Sequence, residues 1–179
     1  MRVGVIDVGH VVLVRAAALA SLERDVAAGN AVVEAVLVVV GRLRDELGDL
    51  EGARIALLGL SSMPQTDHVR LSPALALAEL LLDAGADVVG FDPRAGANAK
   101  AEVPQLRIAA DPYDAAEGAN AIVLATAWPE LHELEWASLR EAVASPVFLD
   151  ARNVIDGASV VGGGFAYVSA GRPPLRLEA

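Results

Sequence analysis

The chain of 179 residues contains no cysteine. That absence removes disulfides, thiolate metal ligands and a thiol nucleophile together, while leaving the compartment open. Positive charge is also scarce: 14 Lys and Arg stand against 24 Asp and Glu, a formal net charge of −10. No segment gathers enough cations to reverse that sign locally, so nucleic acid is not an expected partner. A small phosphate ligand stays open, because a few arginines and backbone N–H groups bind phosphate whatever the overall charge. Long apolar runs are missing too. Ala31 to Val40 is interrupted by Glu34 and falls short of the roughly 20 residues of a membrane-spanning helix. The run from Val11 to Ala20 follows Asp7 and precedes Glu23, Arg24 and Asp25 without a clean cleavage site, unlike a secretory leader. No membrane partner is expected, and the cytoplasm is the expected compartment.

Aromatic residues make up only 4% of a chain that is 54% hydrophobic. Abundant Ala, Val and Leu suit a sheet covered by small-residue helices, an α/β class. From Arg54 onward, short apolar runs alternate with helix-like segments, the pattern of β-α units around a parallel sheet. Strands are predicted over Arg54 to Leu60, Asp87 to Phe91, Leu106 to Ala109, Ala121 to Leu124, Pro146 to Leu149 and Phe165 to Val168. Ser72 and Pro73 supply the N-cap and first residue of a helix that Gly85 ends. A further helix is predicted from Ala31 to Leu47, stopped by Gly48, with Val32, Val33, Val36, Leu37, Val40, Leu43 and Leu47 along one side. Val38 and Val39 widen its apolar surface almost all the way round, as in helices buried between layers or at an interface, and a helix-mediated homodimer is expected. Arg2 to Val8 and the apolar segment after it form an orphan β-α unit, expected to pair with the main sheet or another protomer.

The segment Gly59-Leu-Ser-Ser-Met-Pro-Gln-Thr-Asp-His-Val-Arg-Leu-Ser-Pro73 resembles the strand-loop-helix signature of UDP-glucose and GDP-mannose dehydrogenases. Gly85 to Pro93, Thr126 to Glu130, Asp150 to Asn153 and Gly164 to Tyr167 with Gly171-Arg172 follow in that family's order. The resemblance covers about residues 51 to 172 and implies a Rossmann-like UDP-binding domain. It divides the chain into a degenerate dinucleotide-binding fragment (1–29), a connecting or dimerising helix (30–50) and a UDP-sugar-binding domain (51–179).

At the amino terminus, Met1 to Val14 looks like the family's opening strand and dinucleotide turn. In a G-x-G-x-x-G turn the three glycines allow the tight bend, the approach of pyrophosphate and close helix packing. Here those positions hold Asp7, Gly9 and Val12, so only Gly9 keeps a cofactor-binding residue. NAD is the family's cofactor, but none is expected to bind this chain alone. The family's two oxidations pass through a cysteine thiolate. With no cysteine here, and without the block the family places between the turn and the Val-rich helix, no catalytic residue is assigned.

The resemblance implies ligand contacts for Arg70, in the long loop, and for Arg152 and Asn153 after the fifth strand. Guanidiniums suit phosphate through their forked donors. The structural alternatives are ion pairs of Arg70 with Asp67 and of Arg152 with Asp150 or Asp156. Thr66 and Asp67 match the same motif and either touch ligand or shape the loop. Asp92 ends the second strand, where dinucleotide folds hold ribose, yet Asp92-Pro93 is also a common turn. Met63 stands where the family has lysine, and Ser62 where it has an aromatic residue; both changes weaken the implied site. His68 replaces an acid and reads as a solvated loop residue, with no companion ligand for a metal. Trp128 reads as a packed loop anchor rather than a platform for a base. Three functions fit: a non-catalytic binder of UDP or a UDP-sugar, a subunit completed by a full-length dehydrogenase partner, and a structural or regulatory dimerising remnant.

Overall fold

In the computed structural model, residues 26–177 are described; the orphan β-α unit and Gly9 lie outside them. The chain enters through helix α1 (Val26–Leu47), which begins earlier than the apolar pattern suggests. Strands β1 (Arg54–Leu58), β2 (Asp87–Phe91), β3 (Arg107–Ile108), β4 (Ala121–Leu124), β5 (Val147–Asp150) and β6 (Ala166–Ser169) follow. Between them run α2 (Pro73–Asp83), α3 (Gly96–Glu102), α4 (Pro112–Ala116), α5 (Trp136–Ala142) and α6 (Gly157–Gly162).

The strands form one sheet in the order β3-β2-β1-β4-β5-β6, with every neighbouring pair parallel. A parallel sheet needs cover on both faces, and the alternation of side chains along each strand supplies two cores. Ile55 and Leu57 point into one with Val36, Val39 and Leu43 of α1 and Leu77 and Leu81 of α2. Ala56 and Leu58 point into the other with Ala115 of α4, Leu139 of α5 and Val160 of α6. Helix α1 is therefore part of the domain's own core, but its apolar surface is only half used. Leu37 and Val38 remain 50% and 46% exposed.

The helix stops form as their sequences demand. At the end of α2, Gly85 takes φ 83°, the Gly85 N–H donates to Leu82 O, and the Ala86 N–H to Leu81 O, the paired bonds of a Schellman ending. At its start Ser72 is the N-cap residue, with Pro73 following, but its hydroxyl does not cap the helix. It donates instead to Leu60 O at 2.7 Å, across the loop. Four strands differ from their predicted ranges, β5 among them, lying one residue later than the predicted Pro146 to Leu149. β1 ends at Leu58 because Gly59 turns to φ 85°, β3 keeps only two residues, and β6 begins and ends one residue later than the sequence pattern predicts.

Beyond β6 the chain doubles back. Tyr167 and Leu175 exchange backbone bonds of 2.9 and 2.8 Å in an antiparallel bridge, and Arg176 reaches Glu46 of α1 at 2.6 Å.

Candidate nucleotide-binding site

In an open doubly wound sheet, ligands gather beyond the carboxyl ends of the strands, near the point where strand order reverses. Here that point lies between β1 and β4, and protein groups fill it. Gly59 approaches Thr126 so closely that a Cβ on it would sit 2.6 to 2.8 Å from Thr126 Cβ, N and O. Thr126 Oγ1 donates to Ser61 O at 2.7 Å. The Trp128 indole N–H donates to Ser61 Oγ and to Asp92 Oδ2, both at 3.0 Å, and Trp128 is only 1% exposed. Its burial agrees with the loop-anchor reading.

Asp92 sits at the end of β2, where a dinucleotide fold would hold ribose, but it too is buried. Oδ2 accepts the Leu60 and Ser61 N–H groups at 2.7 and 2.9 Å besides the indole. Oδ1 accepts the N–H groups of Arg94 and Ala95 at 2.9 and 2.8 Å. A carboxylate offers about four lone-pair sites, so five donors leave none for a sugar hydroxyl. Burial pushes the Asp92 carboxyl upward, but the N–H groups of Arg94, Ala95, Ser61 and Leu60 outweigh it and hold it below the ordinary 3.8. Sequence reasoning missed this arrangement. Its only local trace is the Asp-Pro turn, because the other partners lie 31 to 36 residues away.

The loop from Ser62 to Leu71 stands outside this packed junction, over α3. Ser62 N–H and Oγ both donate to His68 O, at 2.8 and 3.1 Å. From α3 and its approach, Arg94 donates to Gln65 O at 3.3 Å and Asn98 to Asp67 O at 2.9 Å. Between loop and helix lies an open groove of about 810 Å³ whose walls include Asp67, His68, Arg70 and Asn98. Thr66 spends its hydroxyl proton on Met63 O at 2.9 Å, shaping the turn. Asp67 Oδ1 has His68 Nε2 at 3.8 Å and makes no ion pair with Arg70. Arg70 is exposed.

Arg152 and Asn153 lie on a different loop, after β5. Buried Asp150 shapes it by accepting the backbone N–H groups of Arg152, Val154 and Ile155, all at 2.8 Å, and the Tyr167 hydroxyl at 3.1 Å. Burial, then the Asp150 charge, pushes the Tyr167 hydroxyl up to about 12. Only the backbone of Arg152 meets Asp150, and its exposed side chain forms neither of the ion pairs considered as alternatives. Asn153 adopts φ 55° and donates to Ala170 O at 3.3 Å. Among the described residues, the non-glycine positions with positive φ are Gln65, Leu71 and Asn153, all on these two loops. The structure thus brings Asp67 and Arg70 to one groove and leaves Arg152 and Asn153 on another loop at the carboxyl ends of the strands, with β4 between β1 and β5.

Among the described residues, no group of three His, Asp or Glu side chains is placed to hold a metal, and no helix is long and apolar enough to cross a membrane. Strand order and loop placement define an open doubly wound α/β domain of the Rossmann type. Residues 56–157 match the UDP binding domain of the UDP-glucose/GDP-mannose dehydrogenase family, and the chain belongs to that family. The UDP-glucose 6-dehydrogenase of Rhizobium meliloti (strain 1021) is 43% identical over 126 residues, 70% of this chain and 29% of the relative. TuaD, the UDP-glucose 6-dehydrogenase of Bacillus subtilis (strain 168), is 34% identical over 139 residues, 77% of this chain and 30% of the relative. The chain therefore spans less than a third of the length of these relatives. Among solved structures, a UDP-glucose dehydrogenase from Pyrobaculum islandicum superposes with TM-score 0.61 at 29% identity, covering 76% of this chain and 32% of that one. An NDP-N-acetyl-D-galactosaminuronic acid dehydrogenase from Methanosarcina mazei Go1 gives TM-score 0.66 at 26% identity, covering 79% and 29%.

Proposed function

We propose that this chain binds a nucleotide sugar of the UDP-glucose type through the loops after β1 and β5, and that alone it does not oxidise that ligand. The observation that carries the reading is the state of two arginines. Arg70 and Arg152 are exposed on those loops, and neither side chain makes a hydrogen bond or ion pair with another described residue. The acids that would have neutralised Arg152 inside the fold are otherwise engaged: Asp150 by backbone N–H groups, Asp156 as the N-cap of α6. Two free guanidiniums in an acidic chain suit a diphosphate. Asp67, Thr66 and Asn153 then act by fixing loop shape, with Asn153 Oδ1 left to reach ligand.

The second half of the proposal rests on composition. The family's cysteine chemistry has no thiol to run on in a chain without cysteine, and the degenerate glycine turn around Gly9 gives NAD no ordinary seat. Residues 1–29, 30–50 and 51–179 then serve as vestigial dinucleotide fragment, connecting helix and binding domain. Exposed Leu37 and Val38 on α1 favour a homodimer through that helix, and the same surface suits a full-length dehydrogenase partner. Calorimetric titration with UDP-glucose, UDP and NAD tests the reading. Saturable heat with the uridine ligands, weakened in Arg152→Ala and absent with NAD, is expected. No heat at millimolar UDP-glucose, where binding of about −4 kcal/mol registers, removes the proposal and leaves a structural remnant.

A further inference from the structure

We infer that Asp92 is the positioning residue for Arg70: it fixes the loop that presents this guanidinium without touching ligand itself. The inference rests on the nucleotide-sugar site proposed above for its ligand, and on the hydrogen bonds around Asp92 for its geometry.

Besides its own internal bonds and the Thr126 hydroxyl on Ser61 O, loop 62–71 has three supports that lead back to Asp92. Its entrance is Leu60-Ser61, whose two N–H groups both end on Asp92 Oδ2. Its exit is Ser72, whose hydroxyl is anchored on Leu60 O, so the exit is held to the same fixed residue. Its middle hangs from Arg94 through Gln65 O and from Asn98 through Asp67 O. Those two donors belong to the turn and helix that Asp92 Oδ1 starts by accepting the Arg94 and Ala95 N–H groups. Arg94 also lies 5.9 Å from the Trp128 ring, whose indole N–H shares Oδ2. One buried carboxylate thus ties together the ends of β1, β2 and β4. Nothing comparable links it to Arg152, whose loop is organised by Asp150.

The consequence is a pattern of coupling that general damage to the fold would not produce. Asp92→Ala frees the loop and should weaken UDP-glucose binding about as much as Arg70→Ala does, on the order of tenfold or more. The Asp92→Ala, Arg70→Ala double variant should bind no more weakly than either single one, because an arginine on a loose loop has little left to lose. Asp92→Ala with Arg152→Ala should be additive.

A subtler variant follows from the division of donors. In Asp92→Asn the amide oxygen should turn to the side with three donors, keeping Leu60, Ser61 and Trp128. Its NH2 then faces the Arg94 and Ala95 N–H groups. Leu60 and Ser61 amides should stay protected from hydrogen exchange, those of Arg94 and Ala95 should exchange faster, and affinity should fall by no more than about threefold.

The test is UDP-glucose calorimetry on the full chain and these variants, with amide exchange and circular dichroism on the same samples. Non-additivity with Arg70 and additivity with Arg152 are the results expected. A folded Asp92→Ala with wild-type affinity, or one additive with Arg70→Ala, overturns the inference. If Asp92→Ala does not fold, Asp92→Asn decides: amides of Leu60, Ser61, Arg94 and Ala95 all exchanging at the wild-type rate, or an affinity loss additive with that of Arg70→Ala, overturns it. Should the wild type fail to bind UDP-glucose, the nucleotide-sugar reading falls. The exchange rates of Leu60 and Ser61 in the Asp92 variants then decide separately whether Asp92 holds the loop.

Discussion

Replacing Gly59 by alanine adds one methyl group at the junction of β1 and β4, and the structure allows its cost to be divided. The backbone at Gly59 has φ 85°, a conformation that costs an L-residue roughly 1–2 kcal/mol. Glycine also permits a close approach here, since the new Cβ would meet Thr126 Cβ at 2.6 Å, N at 2.7 Å and O at 2.8 Å. These are not the tips of a flexible side chain. Relief requires the ends of the strands to part, at the expense of the Ala125 N–H to Leu58 O bond of 2.8 Å, and overpacking of this kind costs about 1–3 kcal/mol more. The sum is about 2–5 kcal/mol. At roughly 2–4 °C per kcal/mol for a protein of this size, the melting temperature should fall by about 4–20 °C. Gly48→Ala is the internal control, because Gly48 has φ 79° and nothing within 4 Å of its added Cβ. It should lose only the conformational part, about 1–2 kcal/mol. Urea denaturation of both variants measures the difference directly. Equal destabilisation would refute the close-contact argument, and a Gly59→Ala protein within about 1 kcal/mol of wild type would refute both parts.

The Asp92 carboxyl titrates below the ordinary 3.8 in the folded chain. Its stabilisation is therefore complete above about pH 4 and is lost as pH falls through the lowered folded value, so the stability gap between wild type and Asp92→Asn should close on acid titration. Tyr167 carries the opposite sign at the other end of the scale. With its hydroxyl raised from 10.0 to about 12, stability should fall between pH 10 and 12, and Tyr167→Phe, followed by circular dichroism, should flatten that alkaline limb. Arg70→Ala and Arg152→Ala should each weaken UDP-glucose binding about tenfold or more, the effect of roughly 1.5–3 kcal/mol for a charge-assisted contact. Neither should move the melting temperature by more than about 1 °C, since neither side chain supports the fold. If α1 forms a dimer, Leu37→Glu with Val38→Glu should yield a monomer by light scattering while leaving Val36, Val39 and Leu43 in their core. A wild-type monomer would remove the dimer from the proposal.

Much of the architecture was legible because its determinants are local. Apolar strand runs, Pro73 at a helix start and Gly85 at a helix end each specify a conformation within a few residues. The strand order is less local: periodicity gives the strands and their parallel class, but the order β3-β2-β1-β4-β5-β6 comes only from the structure. Ser72 shows where local reasoning stops. Its place in the chain identified the N-cap, but its hydroxyl found a carbonyl 12 residues away. For the same reason Asp92 read as a ribose ligand or a turn, while its actual donors come from three separate segments. Arg70 and Arg152 could be picked out by motif, but whether acids nearby neutralise them depends on where Asp150 and Asp67 direct their oxygens.

The return of the chain beyond β6 bears on how copies of this protein can meet. Sheets polymerise through unpaired rims, and one rim here is already occupied by the chain's own Leu175 at Tyr167. The opposite rim is β3, a strand of two residues whose Arg107 is clasped to Asp87 at 2.6 Å. A charged stub makes a poor template for another strand. Among the described residues, growth of the sheet from molecule to molecule is thus discouraged on both sides, and any pairing of copies would fall to helical surfaces, where it can close on itself instead of propagating.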